Sequence, residues 1–234
     1  MLGLINAIVS SAGAIAGYVK DGLVMANRFL TPPKLSHPAQ GSAEFNGSSD
    51  YIQLPDPFSY TNHTIAAWVY VEDNASTKNI FDNRDADNDA VRFVALSNEN
   101  IRYSLNSNDL TSSNAHANEW VYAVCSYDGT TQKLFINGSL DQSATISQTI
   151  STTTNALIGR QTYSAGNYFN GNLANVAIWN RALSSDEINS VMFKSYDSLE
   201  ASEKNGLQAW YRLDDIDGTN VPDSSGNGNN GTAN

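Results

Sequence analysis

The stretch from Phe169 to Ile188, FNGNLANVAIWNRALSSDEI, constrains this chain more than any other. Between Leu173 and Trp179 it is rich in strand formers, and a two-residue period puts Leu173, Asn175, Ala177 and Trp179 on one face and Ala174, Val176 and Ile178 on the other. Asn175 is the polar exception. Beyond Asn180, Ser184 stands three residues before Glu187, the spacing at which a serine hydroxyl and a glutamate carboxylate cap the first turn of a helix reciprocally. The stretch therefore reads as strand, tight turn, helix start near Ser184.

The rest of the chain follows β grammar. Ala43 to Pro55 reads as strand, turn, strand, because Asn46-Gly47 can take the positive φ of a hairpin. Thr64 to Val71 is a core strand with Trp68 inside, and Ile80-Phe81 and Val91 to Leu96 continue a sheet. Ile101 to Leu105, Glu119 to Tyr127 and Lys133 to Ile136 are successive strands with turns at Asp128-Gly129 and Asn137-Gly138. The polar Asp141 to Asn155 reads as an exposed edge, His63 as a loop histidine without a role, and the single Cys125 as a small buried hydrophobe that allows no internal disulfide. The expected core holds Phe45, Ile52, Trp68, Phe81, Phe93, Trp120, Val124, Leu134, Ile136, Ile158, Val176, Ile178 and Trp210.

At 234 residues the chain suits one all-β domain with appendages. Leu2, Ile5, Ile8, Val9, Ala12, Ile15, Ala16 and Val19 recur at helical spacing, so residues 1–20 are expected to form an amphipathic helix. Three glycines and several polar residues make that segment a poor transmembrane span, and it lacks the basic start of a secretory signal. Residues 21–40 read as a strand and a proline-broken connector. Residues 201–234 hold a second Gly-Leu strand and a Gly/Asn loop, expected to complete the sandwich.

In order along the chain, Phe45-Asn46-Gly47, Tyr51-Ile52, Thr64 to Val69, Trp120 to Asn137-Gly138, Ile158-Gly159 and the NRALSSDEI run from Asn180 to Ile188 resemble the laminin-G-like, concanavalin A-like lectin jelly-roll domains. The resemblance implies an all-β, two-sheet antiparallel jelly-roll sandwich over residues 41–200. Ala174-Asn175 stands where many such domains carry an acidic pair, so no role of those acids carries over. The DSSGNGNNGT segment from Asp223 to Thr232, which in the family usually opens a module, here follows it, as if the chain were permuted.

Thirteen Lys and Arg against 24 Asp and Glu give a net charge of -11, which disfavours nucleic acid and anionic membranes as partners. With a charged fraction of only 16%, the surface suits sugars or protein packing. No paired-carboxylate strand of the E-x-D-x-x-E kind occurs, and His37, His63 and His116 have no metal-ligand spacing, so no enzyme is expected. Tyr60, Tyr163 and Tyr168 fall outside the core pattern and could stack on a pyranose, or equally pack at sandwich corners. Asp85, Asp87 and Asp89 have the carboxylate density of a calcium loop or of a solvated hairpin, while Ala90 and Leu96 rule out an EF-hand. Asp223 joins the calcium candidates through the resemblance.

Two readings of function follow. The preferred one is a bacteriophage virion component, a capsid decoration, spike or fibre. It would be a homo-oligomer that contacts neighbouring subunits through residues 1–20 and touches host-surface glycans, because the apolar face of Met1 to Val19 needs a partner. The alternative is a secreted, extracellular bacterial lectin-type module that binds carbohydrate, with calcium as a cofactor.

Overall fold

The alternating runs become fifteen strands in the computed structural model, which describes residues 41–56, 58–72, 75–84, 90–150 and 155–234. The expected helix over 1–20 and the segment 21–40 lie outside the described residues. In chain order the strands are β1 (Ala43–Asn46), β2 (Ile52–Leu54), β3 (His63–Val71), β4 (Lys78–Asp82), β5 (Val91–Ala95), β6 (Asn100–Leu105), β7 (Asn108–Ala115) and β8 (Trp120–Tyr127). They continue with β9 (Thr131–Ile136), β10 (Ser139–Thr145), β11 (Ala156–Ile158), β12 (Asn170–Trp179), β13 (Leu207–Tyr211), β14 (Asn220–Val221) and β15 (Gly231–Ala233). Sheet one runs β1-β12-β3-β8-β9-β10 with β13 also on β12, and sheet two runs β14-β15-β2-β11-β4-β5-β6-β7. The named strands pair antiparallel, and the chain crosses repeatedly between the sheets. Ile65, Ala67 and Val69 of β3 and Val121, Ala123 and Cys125 of β8 meet Phe81, Phe93, Tyr103 and Leu105 of sheet two in the core.

Strand β12 is the organising element. One edge pairs with β3, while β1 and β13 lie end to end along the other, on residues 170–173 and 176–179. Where they meet, the register slips between Ala174 and Ala177, and Asn175 sits at φ +49° with its N–H donating to the Arg212 carbonyl (3.1 Å). This bulge corrects the simple alternation expected from the sequence. Leu173, Val176 and Ile178 all face the core, while Ala174, Ala177 and Trp179 face outward, because one extra residue resets the two-residue period.

The outer face of sheet one is sealed by the connector that follows β12: α1 (Ser185–Val191), a 3-10 turn (Tyr196–Ser198) and α2 (Ala201–Lys204). The cap at Ser184 forms as expected, its hydroxyl accepting from the Glu187 N–H (3.2 Å) and the Glu187 carboxylate from the Ser184 N–H (2.8 Å). The indole N–H of Trp68 donates to the Met192 carbonyl (3.0 Å), and that of Trp179 to the Glu203 carbonyl (2.7 Å). Trp68, Val124 and Trp210 are therefore buried, but beneath this connector instead of between the sheets. Trp120 is half-buried beside Tyr70, with ring centroids 5.6 Å apart. Burial on both faces explains why β3, β8 and β12 read as near-continuous apolar runs.

His63 also departs from the sequence reading. It opens β3, is 1% exposed, and sets Nδ1 3.1 Å from the Tyr60 carbonyl and Nε2 2.7 Å from the Tyr103 hydroxyl. Burial pushes its pKa from 6.5 down to about 4, and the bond to the Tyr60 carbonyl opposes this only in part. The unfolded chain thus takes up a proton near pH 6.5 and the folded chain only near 4. The stability that His63 contributes is complete above pH 6.5 and is lost as the pH falls towards 4, by roughly 3 kcal/mol in all. Urea midpoints measured from pH 7.5 to 4.5 should fall more steeply for the parent than for His63→Gln; parallel profiles would refute this.

Candidate functional site

Away from the connector that follows β12, the outer face of sheet two carries a row of polar and charged side chains. The ladder sets Leu157, Asp82, Arg92, Ser104 and Asp109 opposite one another across β11, β4, β5, β6 and β7. The next row is Asn79, Val94, Arg102 and Thr111. The face is therefore a polar track crossed by arginines.

Asp82 is fully buried and anchors one end. Its carboxylate accepts from the Arg84 guanidinium (2.7 Å), the Arg84 backbone N–H (2.9 Å) and the Asn79 amide, and the Thr162 hydroxyl lies 3.0 Å from Oδ1. Arg102 pairs with Asp109 (2.8 Å), which the Ser104 hydroxyl also reaches. The loop from Gly159 to Phe169 runs along β4, held by Gly159 N–H to the Ile80 carbonyl (3.1 Å) and Asn79 N–H to the Asn167 carbonyl (2.9 Å). This loop forms the rim of the site.

Two arginine–tyrosine stacks stand on that rim. The Arg160 guanidinium lies 4.2 Å from the Tyr51 ring centroid and 5.8 Å from that of Tyr168, and Arg84 lies 5.2 Å from that of Tyr163. Tyr163, at 52% exposure, presents a ring to solvent. Of the three tyrosines expected from the sequence, Tyr163 and Tyr168 both belong to this loop, each in its own arginine stack. Tyr60 belongs elsewhere: its hydroxyl donates to Gln208 (3.1 Å), its ring packs on Phe58, and burial, followed by the charge of Asp56, pushes its pKa up to about 12. It is a corner-packing residue. The sequence reading missed Tyr51, Arg84, Arg92 and Arg160. For Tyr51 the signal was its place one residue before the inward-facing Ile52.

Asp85, Asp87 and Asp89 lie outside the described residues. Asp223 braces its own loop: Oδ1 accepts from the N–H groups of Trp210 (2.9 Å) and Ser225 (2.9 Å), and Oδ2 from the Ser225 hydroxyl (2.8 Å) and the Asn229 N–H (3.1 Å). Among the described residues no three His, Cys, Asp or Glu side chains are grouped to hold a metal ion. Nor is any described helix long and apolar enough to cross a membrane. A recess of about 510 Å³ on the sheet-one side is lined by Asn175, Lys194, Tyr196, Arg212, Asp214 and Ser224. Its cations are already paired, Arg212 with Asp214 (3.0 Å) and Lys194 with Glu203 (2.7 Å), which leaves sheet two as the stronger candidate.

Residues 46–189 match the Laminin_G_3 family, described as the concanavalin A-like lectin/glucanases superfamily, and the chain belongs to that family. Among solved structures, a Bacteroides ovatus protein described as carbohydrate-binding superposes with a TM-score of 0.68 at 17% identity. The match covers 82% of this chain and 57% of that one, so the chain spans little more than half of that protein. The CBM40 of Ruminococcus gnavus IT-sialidase gives 0.52 at 14% identity, covering 66% of this chain and 99% of that one. Domain 4 of AbnA, a GH43 extracellular arabinanase from Geobacillus stearothermophilus, gives 0.51 at 19%, covering 64% and 76%. These likenesses establish a shared fold. Among curated proteins, none matches the chain.

Proposed function

We propose that this chain is a non-enzymatic, extracellular carbohydrate-binding module that docks a glycan on the outer face of sheet two, beside the loop from Gly159 to Phe169. The observation that carries the reading is the pair of arginine-braced tyrosine stacks, Tyr51/Arg160/Tyr168 and Arg84/Tyr163, standing beside a polar track whose Arg92, Arg102, Asp109 and Thr111 are partly open to solvent. A tyrosine ring covers the C–H face of a pyranose, and a ring held by a guanidinium loses little freedom when it does so. The polar track supplies planar hydrogen-bonding groups for the hydroxyls. Two structures of the same fold support the reading, since the R. gnavus CBM40 is also known bound to sialyllactose and the AbnA domain in complex with arabinotriose.

The reading as a bacteriophage virion component draws on residues 1–20 alone, and no observation among the described residues favours it. Glycan arrays read with calcium and with chelator test the module reading and the expected calcium dependence together. Binding to the strongest glycan should weaken at least about tenfold in Tyr168→Ala, by calorimetry, while the melting temperature holds. An array without signal in either condition overturns the proposal.

A further inference from the structure

Among the charged side chains on the sheet-two face, Arg92 has no counterpart. Arg84 is met by Asp82 (2.7 Å) and Arg102 by Asp109 (2.8 Å), whereas Arg92, between them on β5, forms no ion pair among the described residues. Its Nε is buried and donates to nothing. A buried guanidinium N–H left unpaired is costly, and flanking guanidinium groups add repulsion. In keeping with this, burial lowers the pKa of Arg92, with Arg84 next in effect, and Asp82 offsets them only in part. Such a residue is compensated when an anion arrives.

We propose that Arg92 is the anchor for the carboxylate of an acidic sugar, so that the module prefers glycans ending in a uronic or sialic acid over their neutral counterparts. This deepens the carbohydrate-binding reading and rests on it. The planar fork of a guanidinium matches a carboxylate in two parallel hydrogen bonds, a geometry that a sugar hydroxyl does not offer. Arg84 lies two residues beyond Asp82, the cross-strand partner of Arg92, and Arg102 stands on the neighbouring strand; Thr111 and Ser104 bring hydroxyls to the same face, and Tyr163 stacks on Arg84 at the rim for the sugar ring. The net charge of -11 limits the ligand further. A polyanion would be repelled by the molecule as a whole, but a single carboxylate at contact with Arg92 feels that guanidinium first, because charges more than about 8 Å away are screened at physiological salt.

The test is calorimetric titration with uronic-acid- and sialic-acid-terminated oligosaccharides, each beside its own methyl ester, which removes the charge and keeps the sugar. For one of the two acid types the free acid should bind at least tenfold more tightly than the ester, and the pair that shows the difference identifies the source of the carboxylate. Arg92→Gln should abolish that difference without lowering the melting temperature. Arg92→Lys should restore it only in part, since it returns charge without the fork. Acid and ester binding equally tightly in both pairs would overturn the inference and leave the module reading standing. No binding of any glycan, acidic or neutral, overturns both.

Discussion

Replacing Trp179 with alanine should destabilise the protein by about 3–5 kcal/mol, the range for removing a large aromatic from a packed interior. Trp179 is fully buried at the end of β12, set edge-on to Trp210 with ring centroids 6.2 Å apart. Its indole N–H is the donor to the Glu203 carbonyl at 2.7 Å. The truncation therefore leaves a cavity and strands a buried acceptor at the same time. It also removes the hydrogen bond that ties α2 to β12. Trp179→Phe keeps most of the packing and loses the donor, so it should cost less, about 1–3 kcal/mol. Denaturant titration followed by circular dichroism separates the three proteins; an alanine variant within 1 kcal/mol of the parent would show that the connector does not depend on this side chain.

The second large effect is expected at Asp82, through charge instead of volume. Asp82→Asn keeps the shape of the side chain but removes the charge that meets the Arg84 guanidinium, 4% exposed, and breaking a buried pair from one side costs about 3–5 kcal/mol. Removing both charges in Asp82→Asn/Arg84→Met should recover part of that loss, because the uncompensated charge is then gone. The single variant should also bind glycan more weakly, since Thr162 and its loop rest on the same carboxylate. If the double variant is less stable than the single one, the pair contributes net stability and the argument from desolvation is wrong.

What could be read from the sequence was what is written locally. The cap at Ser184 depends on residues three apart, and the Asn46-Gly47 and Asn137-Gly138 turns on adjacent ones, so spacing alone announced them. That β3 and β8 are strands followed from period two, but their inward face did not: Trp68 and Val124 were expected in the core that Ile65, Ala67, Val69, Val121, Ala123 and Cys125 fill. The bulge at Asn175 did not, because a single positive-φ residue in a strand leaves no periodic trace and yet reverses the facing of Val176 and Ile178. Burial of Trp68 and Trp210 was legible, but not which layer buries them, since that depends on where the connector after β12 folds back. The site was least visible. Asp82, Arg92 and Arg102 become neighbours only through strand pairing, and Tyr51 meets Arg160 and Tyr168 across more than a hundred residues of chain. His63 looked like a loop residue beside Asn62, because nothing local reveals that Tyr103 waits forty residues on.

The segment from Leu207 to Ala233 contributes β13 to sheet one and β14 and β15 to sheet two, against β12 and β2. A nascent chain emerging from the ribosome therefore carries both sheets with an unfilled edge until residue 233 is free. Ile52 and Gln53 in particular must wait some 180 residues for the partner that covers them. Such late closure gives slow, non-local folding and leaves sticky strand edges open during synthesis, when wrong pairing with another copy competes. Production of this domain should accordingly depend on the rate of translation and on chaperone supply more than its finished stability would suggest, and a stop introduced before Leu207 should send the product to aggregates.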